Sequence, residues 1–272
     1  MKSIGVLAGD LRQHYISLHL KKSGYNCEYL YNLKKKDIYI TSIPFSKDNN
    51  SLNTMTKSII PVDEFISFIE TTSTVYTGYL SDEIRNKFSK SNIKYIDLMN
   101  NQEIITYNSY LTAEGLLSKV ISTVPFSLKE CNILVLGCGN CGFNIIKVFE
   151  NMVNHVFIYD INNSLYKNIS AEKIYSKETI KQYLNNIKII INTVPACILN
   201  DKDYNFIPND AFIFDITSFP NAFNQNLINK HNQNLITCPG IPGNYSPESA
   251  GGLLAKKIIK HLEGNDLNDM DI

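Results

Sequence analysis

An apolar run, Asn132-Ile133-Leu134-Val135-Leu136, leads without a break into Gly137-Cys138-Gly139-Asn140-Cys141-Gly142, and an amphipathic stretch from Phe143 to Phe149 follows at once. A strand that passes through such spaced glycines into a helix leaves little choice of fold: it is the turn of a parallel strand–helix–strand unit. Gly137 permits the tight turn, Gly139 lets a ligand's phosphates approach the backbone, and Gly142 lets the helix close on the strand. The helix amino terminus then offers unpaired N–H groups and a partial positive charge to an anion, and Asn140 and Cys141, within the loop that leads into it, join the three glycines as candidates for cofactor contact. A second strand over 155–160 ends in Asp160, 18 residues after Gly142 and near the spacing at which an acid meets a ribose. The combination points to a bound dinucleotide.

Asp160 also bears on which dinucleotide. Its carboxylate accepts both ribose hydroxyls of NAD, each charged hydrogen bond worth about 1.5–3 kcal/mol. A 2′-phosphate at about 4 Å meets repulsion of several kcal/mol at intermediate dielectric, so the residue favours NAD over NADP. The alternative is an Asp160 that caps the turn Ile161-Asn162-Asn163 and never reaches the ribose.

The pattern around this unit is an alternation of short apolar strands with helices, the signature of parallel sheets covered on both faces. The first half predicts strands over 3–8, 27–31, 38–43, 58–60 and 75–80, with helices over 11–22, 62–70 and 81–89. A long apolar-periodic helix opens at Asn108-Ser109-Tyr110-Leu111-Thr112, closes at Pro125 and joins two domains. The second half predicts strands over 132–137, 155–160, 188–194, 211–216 and 234–238, and a helix over 142–151. The last helix, 246–262, starts with Ser246, Pro247 and Glu248 in cap and first-turn positions. The segment from Gly264 is acidic and expected to fray. With 272 residues the chain suits two domains: 1–108 for substrate, 109–245 for the dinucleotide, and 246–272 returning to the first.

Composition removes several classes of function. Lys and Arg number 26 and Asp and Glu also 26, so the basic surplus behind nonspecific nucleic-acid or membrane-surface binding is missing. No apolar run approaches the roughly 20 residues of a membrane span, and Asp10 interrupts the amino-terminal stretch too early for a signal peptide. A cytoplasmic protein with reduced cysteines is expected. Cys138-x-x-Cys141 has no second ligand pair, so no metal is expected. None of the five histidines has a recognisable catalytic partner, and no nucleophile elbow or Walker loop is present.

Three further segments fall at strand carboxyl ends, where open parallel sheets take ligands: Asn192-Thr193-Val194-Pro195, Asp215-Ile216-Thr217-Ser218 and Cys238-Pro239-Gly240-Ile241-Pro242-Gly243. Thr193, Val194, Pro195, Thr217 and Gly240 are therefore candidates for the ribose and nicotinamide end. In the first half, Gly9-Asp10-Leu11-Arg12-Gln13 is the first strand-to-helix turn. Only two of the 26 basic residues are arginine, Arg12 and Arg85. An arginine at such a turn suits bidentate carboxylate binding, the alternative being a solvent-exposed side chain paired with Asp10.

The order of Asp10-Leu11-Arg12-Gln13, Tyr107-Asn108-Ser109 with Thr112-Ala113-Glu114-Gly115, the 137–142 loop, Ile191-Asn192-Thr193-Val194-Pro195 and Pro239-Gly240-Ile241-Pro242-Gly243 resembles the A subunits of dipicolinate synthases. The resemblance implies two Rossmann-like domains meeting at a cleft. It further implies oxidation of dihydrodipicolinate, or its hydrated precursor, to pyridine-2,6-dicarboxylate with NAD or NADP in the mother cell of a sporulating bacterium. A flavoprotein-like B subunit is the implied partner, in an assembly expected to be oligomeric. A dicarboxylate substrate gives Arg12, Asn108, Ser109 and Thr112 something to bind. The chain departs from the family where basic residues suited to NADP give way to Asn140 and Asp160-Ile161, and where an arginine gives way to Phe219. A related dehydrogenase acting on a 2-hydroxy acid or a folate, and a dinucleotide-binding assembly or sensor subunit without turnover, are the rival expectations.

Overall fold

The structure, a computed structural model, describes residues 2–56, 58–162, 169–217 and 222–265. The chain divides into two compact units, Met1–Asn108 with Gly243–Ile272, and Ser109–Pro242.

The first unit holds β1 (Ile4–Leu7), α1 (Leu11–Lys22), β2 (Cys27–Leu30), β3 (Ile38–Ile40), α2 (Val62–Phe68), β4 (Thr74–Thr77), α3 (Asp82–Lys90), β5 (Lys94–Asp97) and the first turns of α4 (Gln102–Thr123). Its five strands are all parallel, in the order β2-β1-β3-β4-β5. Successive residues alternate between two cores: Ile38 and Ile40 face the side that also buries Ile16 and Leu20 of α1, whereas Tyr39 faces Phe65 of α2 and Phe88 of α3. Helices therefore cover both faces, as the period of two requires of a fully buried parallel sheet.

The second unit continues α4 and adds β6 (Asn132–Leu136), α5 (Asn140–Phe149), β7 (His155–Tyr159), β8 (Glu172–Ile174), α6 (Lys181–Leu184), β9 (Ile189–Asn192), β10 (Phe212–Asp215), α7 (Gln225–Lys230), β11 (Asn234–Thr237) and the start of α8 (Ile241–Tyr245). Its six parallel strands run β11-β10-β9-β6-β7-β8. Ile133 and Val135 of β6 pack with Ile145, Ile146 and Phe149 of α5, while Leu134 and Leu136 face Leu184 and Ile228 on the other side. The topological switch lies between β6 and β9, where strand order reverses and where such sheets bind ligands.

The last helix, α9 (Pro247–Leu262), belongs to the first unit and packs on α1. A Cβ on Gly251 would stand 2.7 Å from the Arg12 carbonyl oxygen and 2.9 Å from Tyr15 Cβ, so this position admits only glycine at the observed helix separation.

Several expected elements differ. Residues 58–60 form no strand; their neighbourhood makes only isolated bridges, Ser46 with Leu52 and Ser51 with Pro61, and Pro61, which has no N–H to donate, cannot extend a ladder there. The long helix opens at Gln102, not at Asn108, since the Asn101 side chain caps it by accepting Ile104 N–H at 3.0 Å. The helix after the glycines starts at Asn140, two residues earlier than predicted, with Gly139 at its N-cap. The fraying expected after Gly264 and the departure at Phe219 fall almost wholly outside the described residues.

Candidate functional site

The glycine turn divides its labour among three positions. Gly137 takes φ +95°, and a Cβ there would lie 2.4 Å from Thr193 Oγ1 and 2.6 Å from Val194 Cγ2. The bend is thus both left-handed and pressed against the end of β9. A Cβ on Gly142 would fall 2.1 Å from the Gly137 carbonyl oxygen, so the close seat of α5 on β6 needs the bare α-carbon. Gly139 is different: no atom lies within 4 Å of its Cβ position. The open space lies at the α5 N-cap, where no side chain caps the helix, and it is the approach a phosphate group needs.

Asp160, directly after β7, is held against this turn. One carboxylate oxygen accepts the Cys138 N–H at 2.5 Å and the other accepts Asn162 N–H at 2.6 Å. It caps the following turn and also ties the end of β7 to the loop. Burial and the Asp160 charge push the Cys138 thiol up to about 11, and burial raises Cys141, which is hydrogen-bonded to Thr112. Both thiols are therefore protonated structural groups at neutral pH. No group of three metal-binding side chains occurs among the described residues.

On the other side of β6, the ends of β9 and β10 carry a buried polar network. Asp215 is 2% exposed, and its Oδ1 accepts Asn192 Nδ2 at 3.0 Å, Thr217 N–H at 3.1 Å and Thr217 Oγ1 at 2.7 Å. Asn192 Nδ2 also donates to the Val194 carbonyl at 2.9 Å, and Thr193 Oγ1 donates to the Leu136 carbonyl at 3.0 Å. The two strand-end loops are thus fixed to each other and to β6. Pro195 lies in the exposed part of the first loop, and Gly240, at φ +66° with open space around its Cβ position, follows β11. Asp215 and Asn192 anchor this end of the site, a role that the sequence pattern, which marks them only as parts of strand-ending segments, does not assign. Their signal is a carboxylate and an amide closing the apolar strands Phe212-Ile213-Phe214-Asp215 and Ile189-Ile190-Ile191-Asn192.

The residues assigned to substrate are divided between the units. Ser109 is buried and its hydroxyl accepts Asn144 Nδ2 at 2.9 Å; Asn144 also donates to the Asn140 carbonyl at 2.9 Å. Ser109 and Thr112 thereby brace the start of α5. Asn108 lies one residue before them on α4, half-buried, in the first unit. Arg12 is paired with Asp10, as one reading expected, but it is buried and not solvent-exposed: Nη2 meets Asp10 Oδ2 at 2.5 Å and donates to the Ile43 carbonyl at 2.7 Å. Its remaining guanidinium nitrogen, Nη1, makes no hydrogen bond among the described residues.

Two parallel, helix-covered sheets with this turn define the class: the double Rossmann-like fold of D-2-hydroxyacid dehydrogenases. The apo D-lactate dehydrogenase of Escherichia coli superposes with a TM-score of 0.65 at 9% identity, over 97% of this chain and 98% of that one. More particularly, the crystal structure of the dipicolinate synthase A subunit from Bacillus halodurans superposes with a TM-score of 0.86 at 22% identity, over 96% and 98% of the two chains. In sequence the chain is similar to the dipicolinate synthase A subunit of Bacillus subtilis (strain 168), 25% identical over 190 residues, or 69% of this chain. The matched stretch spans 64% of that relative's own length, just under two-thirds. No protein-family model matches the chain.

Proposed function

We propose that the chain is a nicotinamide-dependent oxidoreductase of the dipicolinate synthase A type, which oxidises dihydrodipicolinate or its hydrated precursor to pyridine-2,6-dicarboxylate. The observation that carries the reading is the threefold glycine geometry: two positions closed to any side chain, and Gly139 between them open at the amino end of α5. The relative's name supplies the substrate, and the relatedness of the fold supports the reaction class.

The residues fit a dinucleotide. The amides of Gly139, Asn140 and Cys141 hold the diphosphate, Asp160 takes the adenosine ribose, and Thr193, Val194, Pro195, Thr217 and Gly240 line the nicotinamide end. When bound, such a cofactor would supply a hydride acceptor for a ring carbon of the substrate. Asp215 and Asn192 keep the receiving end in shape by fixing both loops. The Arg12 Nη1 edge binds a substrate carboxylate, with Asn108 in support, while Ser109 and Thr112 act through the seat of α5. A proton leaves the adjacent ring position for water as the hydride departs, the hydrated precursor also losing its water, and the aromatic product supplies driving force. Binding and orientation then account for most of the rate. Asp160 favours NAD over NADP. A B subunit is the proposed partner, in an oligomeric cytoplasmic assembly of a sporulating cell; no helix among the described residues is long and apolar enough to cross a membrane.

Mixing the purified protein with freshly generated dihydrodipicolinate and NAD or NADP, with and without the B subunit, tests the proposal. Growth of the reduced-nicotinamide absorbance is expected in at least one combination, and its lack in all of them overturns the reading.

A further inference from the structure

Four residues other than glycine take a positive φ among those described, and three of them are asparagine: Asn49, Asn92 and Asn232. Asn92 and Asn232 follow the last turns of α3 and α7, and Asn49 lies in the tight turn that Asp48 caps. Asparagine is among the side chains that this left-handed region tolerates best. The fourth residue is Tyr79, at φ +53°, a bulky aromatic that gains nothing from the conformation. Its neighbours fix the bend. The Gly78 carbonyl accepts Phe45 N–H at 3.0 Å, and a Cβ on Gly78 would stand 2.7 Å from Met99 Cγ and 3.0 Å from Ile43 Cγ1. Leu80 returns at once to the core at 7% exposure, while Tyr79 between them is 57% exposed. A glycine or an asparagine at this position would make the same bend with less strain. The tyrosine is therefore kept there at a cost to the fold, although more than half of it faces solvent.

The place of the bend selects what the ring meets. β1, β3 and β4 lie side by side in the first sheet; Arg12 follows the carboxyl end of β1 and Tyr79 that of β4. Both are set against Ile43. Arg12 Nη2 donates to the Ile43 carbonyl at 2.7 Å, and the Ile43 side chain lies against Gly78. An exposed phenol ring thus stands at the same sheet end as a guanidinium edge. A flat ring that bears a carboxylate uses both: the charge takes the carboxylate and the aromatic face takes the ring. The reaction proposed above turns a puckered dihydro ring into a planar aromatic one. A flat partner gains contact as the ring flattens, so its interaction is stronger in the transition state and product than in the substrate.

We propose that Tyr79 is a specificity residue for the heterocyclic dicarboxylate, its ring lying on the face of the substrate ring whose carboxylate Arg12 binds; this rests on the function proposed above. The test is calorimetric titration of the unaltered protein, Tyr79→Asn and Tyr79→Phe with pyridine-2,6-dicarboxylate, and with NAD and NADP as controls, beside thermal unfolding of all three. Tyr79→Asn is expected to bind the dicarboxylate about tenfold more weakly and, with the strain relieved, to melt about 1–3 °C higher. Tyr79→Phe keeps both values, and dinucleotide affinity is the same in all three proteins. Dicarboxylate binding by Tyr79→Asn equal to that of the unaltered protein overturns the ring contact and leaves the proposed function standing. A lower melting temperature of Tyr79→Asn makes the tyrosine a support of the fold and overturns the inference too. An unaltered protein that binds no pyridine-2,6-dicarboxylate, with or without either dinucleotide, overturns the proposed function and this inference together.

Discussion

The Asp160 carboxylate accepts the backbone N–H of Cys138 at 2.5 Å, across the 22 residues that separate them. A charged acceptor on an amide makes a short, strong bond, and this one joins the residue expected at the ribose to the turn expected at the diphosphate. Asp160→Ala is accordingly predicted to weaken NAD at least tenfold, through loss of the ribose contact and of the turn's tie, and NADP by less. Calorimetric titration with both dinucleotides checks it; equal losses for the two contradict the assignment of Asp160 to the ribose.

The glycines make a paired prediction. Gly139→Ala has room for its methyl group and an ordinary φ of −68°, so its melting temperature stays near that of the unaltered protein while dinucleotide affinity falls. Gly142→Ala drives a Cβ to within 2.1 Å of the Gly137 carbonyl oxygen, which forces α5 off β6 at a cost of about 1–3 kcal/mol. Thermal unfolding beside titration separates the two, and a Gly142→Ala protein as stable as the parent would contradict the packing described.

Lys257 of α9 is fully buried and paired with Glu103 of α4, whose side chain is 45% exposed. The lysine's hydrogen bond holds the Glu103 carboxyl below its usual range. Its folded value thus lies below the unfolded one of about 4.3: the stabilisation is complete above that pH and is lost as pH falls through the lower folded value. Glu103→Ala, which deprives a buried ammonium of its carboxylate, is predicted to cost about 2 kcal/mol, less than a fully buried pair because the acid is half in water. Urea denaturation from pH 7 down to pH 3 reads both effects. A stability difference between the two proteins that stays constant over that range would exclude the linkage.

Asp215 separates charge from scaffold. Asp215→Asn keeps an oxygen for Asn192 and Thr217, so stability is expected to change by less than about 1 kcal/mol. Asp215→Ala removes the acceptor shared by the buried Asn192 and the half-buried Thr217 and is expected to cost about 1–3 kcal/mol. Turnover in the dihydrodipicolinate assay should fall in the alanine variant, where the loops loosen. Equal stability of the two variants in urea would show that the network does not hold them.

The glycine turn is legible in the sequence because Gly137 and Gly142 stand where no side chain fits, and the acid after β7 because of its distance from that turn, with apolar runs and a periodic helix around them. The burial of β6 and β9 on both faces is equally plain in their unbroken aliphatic runs. β5 escapes notice because Lys94 and Asp97 bound its four residues, leaving two apolar side chains between them. The start of α4 is misplaced because the Tyr107-Asn108-Ser109 pattern resembles a helix opening, whereas the cap that operates is Asn101. Contacts far apart in sequence are beyond such reading: the Asn144 bond that turns Ser109 toward α5 spans 35 residues, and the Ile43 carbonyl that holds Arg12 lies 31 residues from it. Such partners are chosen by the fold and leave no local pattern.

A crystal of the protein soaked with NAD or NADP tests the central claim most directly. Density for the diphosphate within hydrogen-bonding distance of the amides of Gly139, Asn140 and Cys141 is the predicted result, with the adenosine ribose toward Asp160. A dinucleotide lodged elsewhere in the well-ordered protein, with that turn empty at saturating ligand, would contradict the account.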